Sequence, residues 1–331
     1  MAVIDELKGR GDAEILYIGS RDGIEKVLCE KFGVPYKGIS CGKLRRYFSW
    51  ENFRDFFRVP VGVFQAYRII KKFGADAIFS KGGFVSLPVA VAGRFLGVPV
   101  IVHESDVSPG LANKIAFKMA SKICISFEET KKYLSESALK KAVFTGNPLR
   151  EFNGSFERGL KFTGFNKFRP IILVMGGSQG AQQINALVRE SLDELLKKFQ
   201  IVHIVGKGNL DISVKEKGYK QYEYLDEQLA DIYAISEMVI SRGGANALAE
   251  LAMMRKKVLV IPLGQEGSRG EQFLNAQVFG RLFGWPILSG KIKTKDFVNN
   301  VMMAFNHQIN SGAKFKNGLK AVVDVIVKLA K

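Results

Sequence analysis

The sequence predicts an α/β chain built as two similar doubly wound, Rossmann-like domains with parallel sheets. Three observations carry this. Short runs rich in Val, Ile and Leu alternate from end to end with amphipathic helical stretches, the order that produces βαβ units with right-handed crossovers. The apolar runs are continuous rather than alternating, as parallel strands covered on both faces are. The two halves also repeat. Asp76-Ala-Ile-Phe-Ser-Lys-Gly-Gly83 reads like Glu237-Met-Val-Ile-Ser-Arg-Gly-Gly244, nearly half a chain away, and each is followed by a helix and then a strand. A length of 331 residues is that of about two domains.

In chain order, Ala2–Lys8 is helical in pattern, with no N-cap residue before it. Strands are expected at Glu14–Ile18, Ala77–Phe79, Val98–Val102, Lys122–Ile125 and Ala142–Phe144, which close a first domain over 1–150. The stretch 151–169, rich in Gly, Phe and charge, reads as a linker. A second set of strands at Pro170–Met175, Gln200–Val205, Met238–Ile240 and Lys257–Ile261 builds a domain over 151–315. The last helix, within 316–331, has no strand after it and is expected to rejoin the first domain. A doubly wound domain ordinarily opens on a central strand and a phosphate-binding turn; neither precedes Ala2.

Composition narrows the class. Hydrophobic residues make up 47% and charged residues 24%, a globular balance that excludes disorder, and the 34 Gly show no collagen period. The 3 Cys (Cys29, Cys41, Cys124) are far apart and the 3 His are scattered, which argues against a disulfide framework or a metal centre and for a reducing compartment. No run suits a spanning helix, and Asp5 and Glu6 stand where a signal peptide would be basic or apolar. Lys and Arg number 49 against 32 Asp and Glu, a net charge of +17 that calls for an anionic partner, nucleic acid or membrane.

Several motifs carry chemistry. Gly176-Gly-Ser-Gln-Gly-Ala181 turns a strand into a helix. Glycines there bring backbone N–H groups up to an anion at the helix N-terminus, and Ser178 adds a hydroxyl donor. Gly243-Gly-Ala-Asn-Ala-Leu-Ala-Glu250 also follows a strand, and Glu250 can accept two hydrogen bonds from a ribose diol; a solvated or capping Glu is the alternative. Gln272 and Asn275 share a helical face at a spacing suited to sugar hydroxyls. Val102-His-Glu-Ser-Asp106 closes a strand at its carboxyl end, where ligands of open α/β sheets bind, and His103 or Glu104 could serve as a base. No Asp-x-Asp occurs, so a sugar diphosphate would be held by helix dipoles and Arg rather than through a metal, and no cofactor is expected.

Together, Gly176–Ala181, Gly146-Asn-Pro-Leu-Arg150, Ser241-Arg-Gly-Gly-Ala-Asn-Ala-Leu-Ala-Glu250, Arg269–Ala276, Ser80-Lys-Gly-Gly-Phe-Val-Ser86 and Val102-His-Glu with Pro109-Gly-Leu-Ala-Asn-Lys114 resemble the MurG family over nearly the whole chain. The resemblance implies a GT-B glycosyltransferase, two Rossmann-like domains facing across a cleft. It implies inverting transfer of N-acetylglucosamine from UDP-N-acetylglucosamine to lipid I, giving the lipid II used in peptidoglycan synthesis, cell shape and division. On that pattern Ser178 would bind the donor diphosphate, with Arg150 assisting from the hinge. Ala245, Asn246, Ala247, Leu248, Ala249 and Glu250 would surround the uridine, Leu225 would lie against the uracil, and Gln272 with Asn275 would read the sugar. Asp106 stands where the family usually has a sugar-contacting Asn, Phe84 where Tyr is frequent and Leu87 where Gly is. The family's first glycine-rich loop, with its histidine, belongs before Ala2, so the chain as written is expected to bind donor and turn over poorly. Two alternatives stay open: a related GT-B lipid glycosyltransferase, and a non-catalytic or partner-dependent nucleotide-sugar-binding subunit.

A lipid-linked acceptor gives the positive charge a role. Lys37, Lys43, Arg45, Arg46, Arg54, Arg58, Arg68, Lys71 and Lys72 face only Glu51 and Asp55 over that stretch, and Leu44, Trp50, Phe53 and Phe57 are interleaved with them. No nucleic-acid-binding signature accompanies the charge. Reversible binding of Leu44–Arg58 to an anionic membrane is expected, at the cytoplasmic face of the bacterial plasma membrane, with other cell-wall synthesis proteins as further partners.

Overall fold

The computed structural model describes the chain apart from residues 12, 22, 42–49, 178–179, 264–269 and 331 and the side chains of 24 and 50–58. The chain divides into two compact units, Met1–Arg150 with Lys316–Lys331, and Glu151–Phe315.

The first unit runs α1 (Ala2–Gly9), β1 (Tyr17–Ser20), α2 (Ile24–Lys31), β2 (Tyr36–Ile39), α3 (Trp50–Phe73), β3 (Ile78–Ser80), α4 (Ser86–Leu96), β4 (Val100–Glu104), α5 (Leu111–Met119), β5 (Lys122–Ile125), a 3-10 turn (Glu128–Tyr133), α6 (Glu136–Leu139) and β6 (Ala142–Phe144). All pairing is parallel: β1 with β2 as one sheet, β3-β4-β5-β6 as another. Side chains alternate along β4 and show why its run is unbroken. Val100 and Val102 join a core with Ala66, Ile70, Val89 and Phe117, while Ile101 joins Val3, Cys124, Val322, Val323 and Ile326 on the opposite face.

The second unit runs α7 (Phe156–Thr163), β7 (Ile171–Met175), α8 (Gln182–Glu190), α9 (Leu192–Leu195), β8 (Gln200–Ile204), β9 (Tyr219–Tyr222), α10 (Gln228–Ile235), β10 (Met238–Ser241), α11 (Ala245–Met253), β11 (Lys257–Val260), α12 (Glu271–Phe283) and α13 (Thr294–Asn306). Its sheet is parallel throughout, in the order β11-β10-β7-β8-β9. Counted from its own first strand this is the 3-2-1-4-5 order of dinucleotide-binding folds, whose direction reverses between β7 and β10. The final helix, α14 (Leu319–Ala330), packs against α1 in the first unit, where Arg10 also pairs with Asp324 at 2.5 Å.

Three local expectations are corrected. The first strand begins three residues later than Glu14. Two strands were not anticipated, β2 (Tyr-Lys-Gly-Ile) and β9 (Tyr-Lys-Gln-Tyr). Among the described residues each pairs with a single neighbour, so it needs no continuous apolar run. The supposed linker contains α7, capped by the Ser155 hydroxyl and seated on α10. Added Cβ atoms at Gly154 and Gly159 would lie 2.0 Å from the Ala230 carbonyl and 2.5 Å from that of Asp231, and Arg158 meets Asp231 at 2.6 Å.

Candidate functional site

The reversal in the second sheet places two glycine turns side by side, after β7 and after β10, because parallel strands deliver their carboxyl ends to one edge. Gly177 and Gly180 take positive φ of 90° and 75°, which other residues rarely adopt. A Cβ at Gly180 would lie 2.1 Å from the Val205 carbonyl, so the turn can hug β8 only as glycine. Ser178 lies outside the described residues, and so does Arg269.

After β10, Gly243 and Gly244 lead into α11. Among the six residues assigned to the uridine, Ala245, Leu248 and Ala249 are buried, whereas Asn246 is exposed and Ala247 and Glu250 are partly exposed. The buried three therefore offer a ligand backbone rather than side chain, and the first-turn N–H groups of α11 have no partner within the helix. Glu250 Oε2 lies 3.5 Å from the hydroxyl of buried Tyr233. Leu225 is likewise a core side chain.

The helical pair splits. Gln272 is partly exposed, but Asn275 is fully buried and its Nδ2 donates to the Gly243 carbonyl at 3.0 Å. Asn275 thus braces the turn after β10. Gln272 Oε1 accepts from the Leu263 N–H at 3.2 Å and from Arg242 Nε at 3.4 Å. Arg242 is the residue that sequence reasoning missed. Its Nη1 donates to the carbonyls of Gly176 at 3.4 Å and Gly180 at 3.2 Å, and burial holds its pKa below the usual value. The only signal for it was the Lys81/Arg242 match between the two repeats.

In the first unit the carboxyl ends of β3 and β4 and the segment after β6 come together. His103, fully buried, donates from Nε2 to the Gly146 carbonyl at 3.2 Å, leaving Nδ1 as an acceptor 3.4 Å from Ser105 Oγ. Burial, with the nearby Lys81 ammonium adding, pushes its pKa down to about 3. Glu104 accepts from the Asp106 N–H at 2.9 Å on Oε1 and from Asn113 Nδ2 at 2.8 Å on Oε2. Burial outweighs those bonds and raises its carboxyl to about 7. The Asn113 side chain reaches the turn at Gly82 (φ 93°), where an added Cβ would sit 2.8 Å from its Oδ1. That buried oxygen has no hydrogen-bond partner among the described residues. Lys81 reaches Asn147 at 3.3 Å, and Arg150 is exposed. Most of the proposed membrane segment lies outside what can be described: Leu44, Arg45 and Arg46 altogether, and the side chains of Trp50, Phe53, Arg54, Phe57 and Arg58 within α3.

Comparison with known proteins decides the family. The glycosyltransferase family 28 N-terminal domain matches residues 1–125, and the C-terminal domain of the same family matches residues 171–322. A Bacillus cereus protein named UDP-N-acetylglucosamine–N-acetylmuramyl-(pentapeptide) pyrophosphoryl-undecaprenol N-acetylglucosamine transferase 2 is 47% identical, over 98% of this chain and 93% of its own length. The chain belongs to glycosyltransferase family 28, within its MurG group. A MurG-group relative from Lachnospira eligens is 53% identical over 84% of this chain and 78% of its own length. Among solved structures, Acinetobacter baumannii MurG superposes with a TM-score of 0.70 at 22% identity, covering 99% of this chain and 94% of that one. A Neisseria meningitidis UDP-GlcNAc 2-epimerase, solved with UDP-GlcNAc, superposes at 0.68 with 13% identity, over 99% and 96% of the two chains. Likeness at that identity concerns the fold alone. The GT-B architecture is therefore that of glycosyltransferase family 28 as well as of sugar-nucleotide epimerases.

Proposed function

We propose that this chain transfers N-acetylglucosamine from UDP-N-acetylglucosamine to the muramyl 4-hydroxyl of lipid I, yielding lipid II and UDP. The observation that carries this is 47% identity over 98% of the chain to a transferase so named. Bond changes are simple: the acceptor oxygen bonds to the anomeric carbon, the bond from that carbon to UDP breaks with inversion, and the acceptor proton leaves to a base.

The donor is assigned to the second unit, with the diphosphate at the turn Gly176–Ala181 and the ribose at Glu250. N–H groups of the turn and of the first turn of α11 stabilise charge growing on UDP, because their dipoles are fixed before the bond breaks. Glu104 is assigned as the base in preference to His103. A carboxyl near 7 is half ionised at working pH, whereas a base is least useful when, like His103, it is held near 3 with its N–H committed to a carbonyl. Exposed Val61, Phe64 and Phe95, next to Arg68, Lys71, Lys72 and Arg94, support peripheral attachment to the cytoplasmic face of the plasma membrane, where a lipid-linked acceptor is reached.

The test is transfer of radiolabelled N-acetylglucosamine to a soluble lipid I analogue, with UDP release measured in parallel and with EDTA present. Label in the product, undiminished by EDTA, is expected. UDP-N-acetylglucosamine binding without any transfer would favour the non-catalytic subunit instead.

A further inference from the structure

We propose that Arg242 is a positioning residue that sets the polarity of the Gln272 amide, so that the site offers the donor sugar an N–H donor and not an oxygen acceptor. This rests on the donor site proposed above. The amide of an unrestrained glutamine can turn either end outward, and the two ends read opposite partners. Here two N–H groups, from Leu263 and Arg242 Nε, converge on Oε1, and an amide nitrogen in that position would face two donors. Nε2 has no partner among the described residues and is left for the ligand. Gly243 makes the arrangement tight. A Cβ there would lie 2.1 Å from the Gln272 carbonyl oxygen, so the first turn of α12 rests directly on the residue following Arg242.

The same guanidinium acts on the diphosphate turn. Nη1 holds the carbonyls of Gly176 and Gly180. In a trans peptide the C=O and the following N–H point in opposite directions, so both carbonyls drawn toward Arg242 send the N–H groups of Gly177 and Ala181 the other way. One planar fork thereby fixes the peptide orientation at both ends of the turn and the amide that reads the sugar. Lysine cannot do this, because its ammonium is a point charge at the end of a flexible stem. No carboxylate among the described residues pairs with Arg242, so its charge is not matched by a salt bridge.

The test compares wild type, R242K and Q272E for binding of UDP and of UDP-N-acetylglucosamine by calorimetry, for KM and kcat, and for melting temperature. Q272E keeps an oxygen for Arg242 and Leu263 but turns the outward donor into an acceptor. Q272E should bind UDP within about threefold of wild type, R242K should lose more UDP affinity because its diphosphate turn is no longer held, and in both KM for UDP-N-acetylglucosamine rises roughly tenfold or more and its preference over UDP-glucose falls. R242K indistinguishable from wild type would overturn the proposal, as would equal losses for UDP and for the sugar nucleotide in Q272E. Should R242K fail to fold, Q272E decides alone. Absence of UDP-N-acetylglucosamine binding by the wild-type chain would instead defeat the donor-site reading itself.

Discussion

Glu104, the base proposed above, ties stability to protonation. Its carboxyl is raised from 4.5 to about 7, so the folded state holds a proton that the unfolded state has lost. The resulting stabilisation is fully present below about pH 4.5 and disappears as pH rises through 7. Ionising the buried group then costs on the order of 3 kcal/mol. E104Q removes that cost, since the neutral amide cannot ionise, and Asn113, with its unpaired Oδ1, can rotate to accept from it. E104Q is expected to be more stable than wild type at pH 8, with the gap closing by pH 5 in urea titrations, while transfer falls at least a hundredfold. Preserved activity with the same pH profile would remove Glu104 from catalysis. For the donor, E250A should weaken UDP binding by roughly 1–3 kcal/mol, the usual loss for hydrogen bonds to a charged group, as calorimetry would show. The glycine turns after β7 and β10 were legible in the sequence because each sits at a strand end. The burial of Asn275 and the reach of Arg242 were not, because both depend on how α12 crosses the turn after β10, which no local spacing encodes.

Secondary structure was readable wherever burial is two-sided. β4, β5, β7, β8, β10 and β11 are largely apolar runs, and all were expected near their observed positions. β2 and β9 escaped because an edge strand is defined by its neighbour rather than by its own residues. Helix packing escaped for a similar reason: its determinants are single glycines. α3 turns Gly62, Ala66 and Ile70 inward, one turn apart. A Cβ at Gly62 would lie 2.1 Å from the Ser40 backbone carbonyl, at the end of β2. At Gly93 on α4 the nearest obstacle is instead the terminal methyl of Ile78, at 2.3 Å, which a rotamer change can move. G62A is therefore expected to lose ~1–3 kcal/mol, the range for overpacking against an unyielding neighbour, and G93A distinctly less. Urea midpoints would check the order; equal losses would mean that α3 can slide on β2.

The whole chain carries +17, and no helix among the described residues is long and apolar enough to cross a membrane. The peripheral attachment proposed above would use α3 and α4. While Gly62, Ala66 and Ile70 face inward, Val61, Phe64, Arg68, Lys71 and Lys72 are exposed along the other side of α3. Phe64 is 61% exposed and Phe95, at the end of neighbouring α4, 76%, values too large for core residues. Arg68 sits over the Phe64 ring, 5.7 Å from its centre, which keeps an apolar side chain and a cation at one spot. Aromatic groups entering the headgroup boundary and cations meeting phosphate there contribute separately, and the ionic part, ~1 kcal/mol per basic residue, is screened by salt. Co-sedimentation should therefore show binding to phosphatidylglycerol vesicles, little to phosphatidylcholine, and weakening between 50 mM and 500 mM salt on the order expected for a screened contact. Replacing Arg45, Arg46, Arg54 and Arg58 by Ser should lower affinity mainly at low salt. F64S with F95S should lower it at every salt concentration, because apolar transfer is not screened. Binding indifferent to lipid charge and to all six substitutions would place the membrane contact elsewhere on the molecule.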